Sequence, residues 1–191
     1  LFQPNVISKY KNKKPPAYFI DFIFQKKIRS ILDFGCATAN LLLEATKSDP
    51  KLICYGVDIN NSFLETSIER FLTIKKDPKT YQFETCLKLN KLKTFLLNNE
   101  IRKFDLIVFD RVLYCQNNIE IDHIFRNLQP ISKYILIDDF FGENLSLKSG
   151  YRHRNWIAYL KECGFKNIIN IPTVYEDVAD AFPRTMIFEK I

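Results

Sequence analysis

Glycine is scarce in this chain, five residues in 191, and no G-x-G-x-x-G run occurs. The dinucleotide turn of nicotinamide enzymes needs that spacing, so a hydride-transfer enzyme is the weaker reading. Long apolar runs are missing too. Nothing approaches the roughly 18 residues of a membrane span, and the basic stretch Lys9 to Lys14 is not followed by the apolar core of a secretory leader. No membrane partner is expected. The five cysteines, Cys36, Cys54, Cys86, Cys115 and Cys163, are widely spaced with no C-x-x-C pair. That argues against a disulfide framework and a zinc site and suits a reducing cytoplasm, the expected location. The chain opens at Leu1 rather than Met, and whether it is part of a longer one is left open.

What is present is ordinary for a globular domain: 47% hydrophobic and 26% charged residues over a length that buries a real core. A single domain over residues 1–191 is expected, with an extended lead-in over 1–16 and a leading helix over 17–28 that sets Phe19, Ile20, Phe22, Ile23 and Phe24 on one broad face. The net charge of +6 and pI near 9.0 permit an anionic substrate or nucleic acid. The lysines are spread over loops and helix faces, however, so a small-molecule acceptor is expected and a nucleic-acid partner is not. The oligomeric state is left open.

The chain is organised around Ile31-Leu32-Asp33-Phe34-Gly35-Cys36-Ala37-Thr38-Ala39-Asn40 and the helical segment after it. A strand end runs into a turn of small residues and then a helix start. In that geometry a backbone approaches a nucleotide-like ligand closely and aims helix N–H groups at it. After Asp49-Pro50 a second apolar strand, Leu52 to Val57, ends in Asp58, 23 residues beyond Gly35. Such a carboxylate returns beside the first turn, where it accepts hydrogen bonds from ribose hydroxyls. Phe63, Leu64, Ser67, Ile68, Phe71 and Leu72 then repeat at helical spacing behind Asn60-Asn61-Ser62.

Asp33 followed by Gly35, Ala37 and Ala39 resembles motif I of the class I S-adenosylmethionine (SAM)-dependent methyltransferases, with two of the three glycines replaced by alanine, and Asp58 resembles motif II. The resemblance implies a SAM site built from Asp33, Gly35, Cys36, Ala37, Ala39, Asp58, Ile59 and Asp110. Tyr81 to Cys86 reads as a third strand, and Cys86, Leu87 and Lys88 after it offer no clear acid for the adenine amine. A basic helix is expected over 88–99. The strand Phe104 to Asp110 and the segment through Tyr114 and Cys115 are similar to motif IV, where methyl donor and acceptor meet. Asp110, Tyr114 and His153 are the catalytic candidates, with His153 as general base. His123 falls in a helix and reads as a surface residue.

A fifth strand, Tyr134 to Phe141, carries Asp138 and Asp139. With Asp110 they form three carboxylates at the ends of adjacent strands, a set of oxygen ligands that suits Mg²⁺ and looks like the acid triad of metal-dependent O-methyltransferases. Capping and ribose or substrate contacts without a metal are the alternative. Gly150 to Asn155 is rich in functional side chains, with Arg152 and Arg154 as candidates for an anionic group. The tail reads as two antiparallel strands, Lys166 to Pro172 and Thr185 to Glu189, joined by a loop with Tyr175, Glu176, Asp177 and Asp180.

The implied fold is α/β and Rossmann-like: a seven-stranded, mostly parallel sheet with helices on both faces and a C-terminal antiparallel hairpin. The implied activity is methyl transfer from SAM to an oxygen or nitrogen of a small molecule. A non-catalytic methyltransferase-like scaffold and a nucleic-acid methyltransferase are the alternatives.

Overall fold

A computed structural model describes residues 14–74, 77–85, 94, 96, 97, 103–142, 152–173 and 183–191. The chain divides into two compact units, Leu1–Ile101 and Arg102–Ile191.

In the first unit, Pro16 precedes helix α1 (Ala17–Gln25), which buries Phe19, Phe22 and Ile23. The helix stops short of the expected 28 because Lys27 turns left-handed, with φ 52°. Strand β1 (Ser30–Phe34) follows, with Ile31 and Leu32 wholly buried. Helix α2 (Asn40–Ser48) sets Leu41, Leu42, Leu43 and Ala45 inside and packs on α1. Strand β2 (Ile53–Asp58) pairs parallel to β1, with Asp33 opposite Gly56. Helix α3 (Asn61–Thr73) begins where the Asn60 side chain accepts the Ser62 N–H at 3.0 Å. It packs on β2 and on strand β3 (Tyr81–Thr85), which is parallel to β2.

In the second unit, strand β4 (Phe104–Asp110) leads through a short 3₁₀ turn, Leu113–Cys115, to helix α4 (Asn118–Leu128). A capping box of Asn117 and Glu120 fixes the start of α4. Strand β5 (Ser132–Phe140) pairs parallel to β4, placing Asp110 opposite Asp138. Helix α5 (Trp156–Glu162) ends at Gly164, whose φ of 80° turns the chain into strand β6 (Phe165–Pro172). Strand β7 (Pro183–Lys190) pairs antiparallel with both β5 and β6. Ile107, Val108, Phe109, Ile135, Leu136, Ile137, Met186, Ile187 and Phe188 are 0% exposed. Each such side chain stabilises the fold by about 1.5–3 kcal/mol.

The sheet order is β3-β2-β1-β4-β5-β7-β6, a Rossmann-like, mostly parallel sheet flanked by helices and closed by the antiparallel hairpin, as expected. Among the described residues no helix is long and apolar enough to cross a membrane. Cys86, Leu87, Lys88 and most of the expected 88–99 helix lie outside the described residues, as do Gly150, Tyr151, Tyr175, Glu176, Asp177 and Asp180.

Candidate functional site

The first unit carries the small-residue turn. Gly35, Ala37 and Ala39 all have positive φ, at 83°, 45° and 55°. An L-residue in that region costs about 1–2 kcal/mol, so the two alanines keep the glycine path under strain. The Gly35 and Cys36 amides both donate to the Val57 carbonyl, at 2.8 and 3.1 Å, and the Ala39 amide donates to the Cys36 carbonyl at 2.7 Å. These three amides of the turn, which precede the helix start at Asn40, are satisfied within the protein. What the turn supplies is shape.

Close packing demands that shape. A Cβ on Gly56 would lie 2.5 Å from the Phe83 ring and 2.8 Å from Cys36 Sγ. Burial, reinforced by Asp33 and Asp58, raises the Cys36 thiol well above its usual range. It is a neutral packing group.

Asp58 is held from both sides. Its Oδ2 accepts the Ala37 N–H and its Oδ1 the Asn60 N–H, each at 2.9 Å. Burial raises its carboxyl, with the amides of Asn60, Ala37 and Ile59 pulling the other way. Each oxygen keeps acceptor capacity beyond one bond. Thr38 Oγ1 and Asn60 Nδ2 are buried with no hydrogen-bond partner in the protein, an unusual state for buried polar atoms. A carboxylate with spare lone pairs, an orphan hydroxyl and an orphan amide fit the polar edge of a nucleoside. Ile59, 68% exposed beside them, adds an apolar surface.

In the second unit β4 delivers Asp110, and Arg111 follows in the left-handed region, with φ 52°. The Arg111 amide donates to the Asp138 carbonyl at 2.8 Å. Asp139 is 1% exposed. Its Oδ2 accepts the Leu113 and Tyr114 amides at 2.9 and 3.0 Å, and its Oδ1 accepts the Phe140 amide at 2.7 Å. Burial pushes its carboxyl up to about 7 against those three amides. Asp138, 0% exposed, accepts from the Thr173 hydroxyl at 2.8 Å and from the Thr185 hydroxyl. Burial and the neighbouring Asp110 raise it to about 6.

The expected Mg²⁺ triad of Asp110, Asp138 and Asp139 is not assembled. Among the described residues no three His, Cys, Asp or Glu side chains stand close enough to hold a metal. Successive residues of a strand point to opposite faces, so Asp138 meets the threonines while Asp139 meets the turn after β4. The residues do not fit a metal ion, and none is given a role.

The expected anion site at Arg152 and Arg154 is also replaced. Arg154 donates to the Leu113 and Gln116 carbonyls at 3.1 and 2.6 Å, and Arg152 to the Gln116 carbonyl at 3.2 Å. Both arginines clamp the loop after β4. His153, between them, stacks on Phe140 with ring centroids 5.6 Å apart, and its Nε2 is buried without a partner. Burial lowers its pKa, which keeps the imidazole neutral and proton-accepting at neutral pH. Tyr114 packs edge-on against the same Phe140, at 5.4 Å. His123 is exposed on α4.

Sequence reasoning missed Thr173 and Thr185, and it read Ser67 only as part of a helical repeat. A hydroxyl on an otherwise apolar helix face was the available signal for Ser67. Nothing in the pattern marked the threonines.

A family model described as a methyltransferase domain matches residues 25–163. The chain belongs to the class I SAM-dependent methyltransferases. A search of curated proteins finds no match. Among solved structures, this methyltransferase is similar to magnesium protoporphyrin IX methyltransferase of Synechocystis with bound SAH (TM-score 0.70, 14% identity, covering 92% of this chain and 81% of that one). It is also similar to the methyltransferase domain of bacterial Hen1 (0.66, 15%, 91% and 95%). A SAM-dependent methyltransferase of Clostridium acetobutylicum matches at 0.65 and 15% identity, covering 91% and 89%. At these identities the likeness shows the fold. The likeness to the Hen1 domain also overturns the expectation against a nucleic-acid partner, which is withdrawn. Dispersed lysines do not exclude a nucleic-acid partner.

Proposed function

We propose that this methyltransferase binds SAM in its first unit and transfers the methyl group to an oxygen or nitrogen nucleophile of a small molecule. The observation that carries the reading is Asp58, gripped by the Ala37 and Asn60 amides and accompanied by the orphan atoms of Thr38 and Asn60. Asp58 would receive the ribose hydroxyls, and Ile59 would lie against the apolar side of the cofactor.

Bound SAM supplies a methyl group on a good leaving group, which leaves alignment and proton removal to the protein. His153 is the proton acceptor in this reading. Its Nε2 is buried, unpartnered and neutral, so it takes the proton of an acceptor hydroxyl as the new bond forms. Asp110 and Tyr114 orient the acceptor. An RNA hydroxyl is the second reading, supported by the likeness to Hen1 and by the +6 charge.

Calorimetric titration with S-adenosylhomocysteine (SAH), comparing the wild type with Asp58→Ala, tests the cofactor site. Saturable binding that the variant loses is the expected result, and a wild type that does not bind favours the scaffold reading. Transfer of labelled methyl from SAM into hydroxylated metabolites or into RNA then separates the two acceptor classes.

A further inference from the structure

The left-handed alanines of the cofactor turn are braced from outside it. Ser67 and Arg70 lie three residues apart on α3, so they stand on one helix face. The Ser67 hydroxyl reaches the Ala37 carbonyl at 3.2 Å and its own helix at the Phe63 carbonyl, at 2.9 Å. Arg70 donates through one nitrogen to the Thr38 carbonyl at 2.6 Å and to Asn40 Oδ1 at 2.5 Å.

Because a peptide unit is planar, holding one carbonyl fixes ψ of its own residue together with φ of the next. A grip on the Ala37 carbonyl therefore sets ψ of Ala37 and φ of Thr38. A grip on the Thr38 carbonyl sets ψ of Thr38 and φ of Ala39, the angle that stands at 55°. Asn40 begins α2, so the same guanidinium also ties the turn to the helix that follows.

We infer that Ser67 and Arg70 are positioning residues of the cofactor turn, substituting for the conformational freedom that glycines at positions 37 and 39 would supply. The inference rests on the proposed SAM site and adds the means by which an alanine turn keeps the binding shape. It assigns each brace a partner: Arg70 acts on Ala39, and Ser67 acts on Ala37.

The test is a double-mutant cycle read by SAH titration and, in parallel, by thermal unfolding. Arg70→Ala is expected to weaken SAH binding about tenfold, the scale of one charge-assisted hydrogen bond. In the Ala39→Gly background the same change should cost only about twofold, since glycine adopts the angle without help. Ser67→Ala should show a smaller loss that Ala37→Gly relieves and Ala39→Gly does not. Equal losses in the alanine and glycine backgrounds, or full affinity in Arg70→Ala, would overturn the inference. If the wild type binds no SAH, the cofactor reading fails by itself, and the unfolding cycle still decides the brace: the midpoint lost in Arg70→Ala must be partly regained with Ala39→Gly. Arg70→Lys serves if the alanine variant does not fold, with an intermediate loss expected.

Discussion

The turns after β1 and β4 meet the same problem with opposite chemistry. Each leaves a buried parallel strand and passes through left-handed non-glycine backbone, at Ala37 and Ala39 in one and at Arg111 in the other. The carbonyls of the first are held by donors, Ser67 and Arg70, while the Asp58 carboxylate accepts its Ala37 amide. The second is held by an acceptor, the Asp139 carboxylate, which collects the Leu113 and Tyr114 amides. Neither brace of the first turn changes charge between pH 4 and 8. The second turn hangs on a carboxyl poised at about 7. Burial raises the Asp58 carboxyl as well, so the first turn also feels pH, but through one of its amides where the second hangs two on its carboxyl.

The largest effect should come from removing the acceptor. Asp139→Ala leaves three amides inside the protein without their partner, and each buried unsatisfied donor costs about 1–3 kcal/mol. A loss of about 4 kcal/mol in urea unfolding is expected, with Asp139→Asn much milder because its amide oxygen still accepts from Leu113 and Tyr114. Next comes Asp58→Ala, which removes the partner of the Ala37 and Asn60 amides and the proposed acceptor for the ribose together. A loss of about a hundredfold in SAH affinity is expected, about 2.7 kcal/mol.

The pH dependence sharpens the contrast. Asp138 and Asp139 have folded pKa values raised to about 6 and about 7, so between pH 4 and 7 the folded state holds protons that the unfolded chain has released. Their contribution is fully present below pH 4 and is lost as pH rises through 6 and 7. His153 works the other way, since its lowered pKa favours the fold above the unfolded value and that favour is lost on acidification. Unfolding measured at pH 5 and pH 8 should show the carboxylate contribution falling by on the order of 2 kcal/mol, and Asp139→Asn should remove most of that fall. A slope unchanged in Asp139→Asn would show that the second turn does not depend on this proton.

The first turn was far more legible than the second. Asp33, Gly35 and Asp58 stand at spacings that follow from strand and helix lengths, and a parallel sheet must bring them together. Ala37 and Ala39 were visible as departures, but their left-handed angles were not, because alanine carries no sequence mark of positive φ. The carboxylates misled for a geometric reason: adjacent aspartates in one strand face opposite ways, so proximity in sequence is not convergence in space. Arg152 and Arg154 misled for a chemical one. Guanidinium groups near a strand end suit an anion, yet the carbonyls of Leu113 and Gln116 lie nearer. Asp139 itself was recognised as a chemically important acid and assigned the wrong partner, a metal in place of three amides.

The smallest effect discriminates most finely, because it asks whether left-handed strain can be relieved in either turn. Ala37 is only partly buried, so Ala37→Gly loses little packing. Relief of about 1–2 kcal/mol of strain outweighs glycine's cost of about 0.5–1 kcal/mol, and a net gain of about 0.5 kcal/mol is expected in urea unfolding. Ala39 is 0% exposed, so Ala39→Gly also gives up a buried methyl, about 0.8 kcal/mol, and should come out near neutral. Arg111→Gly should go the other way despite its equivalent φ. Its guanidinium Nε stands 4.0 Å from the buried Asp138 carboxylate, and burial leaves that acid dependent on the few charges near it. Losing the arginine should destabilise the fold by about 1 kcal/mol or more, most strongly above pH 6, where Asp138 is ionised. If Arg111→Gly instead stabilises as Ala37→Gly does, strain alone governs both turns, and the charge argument for the second one fails.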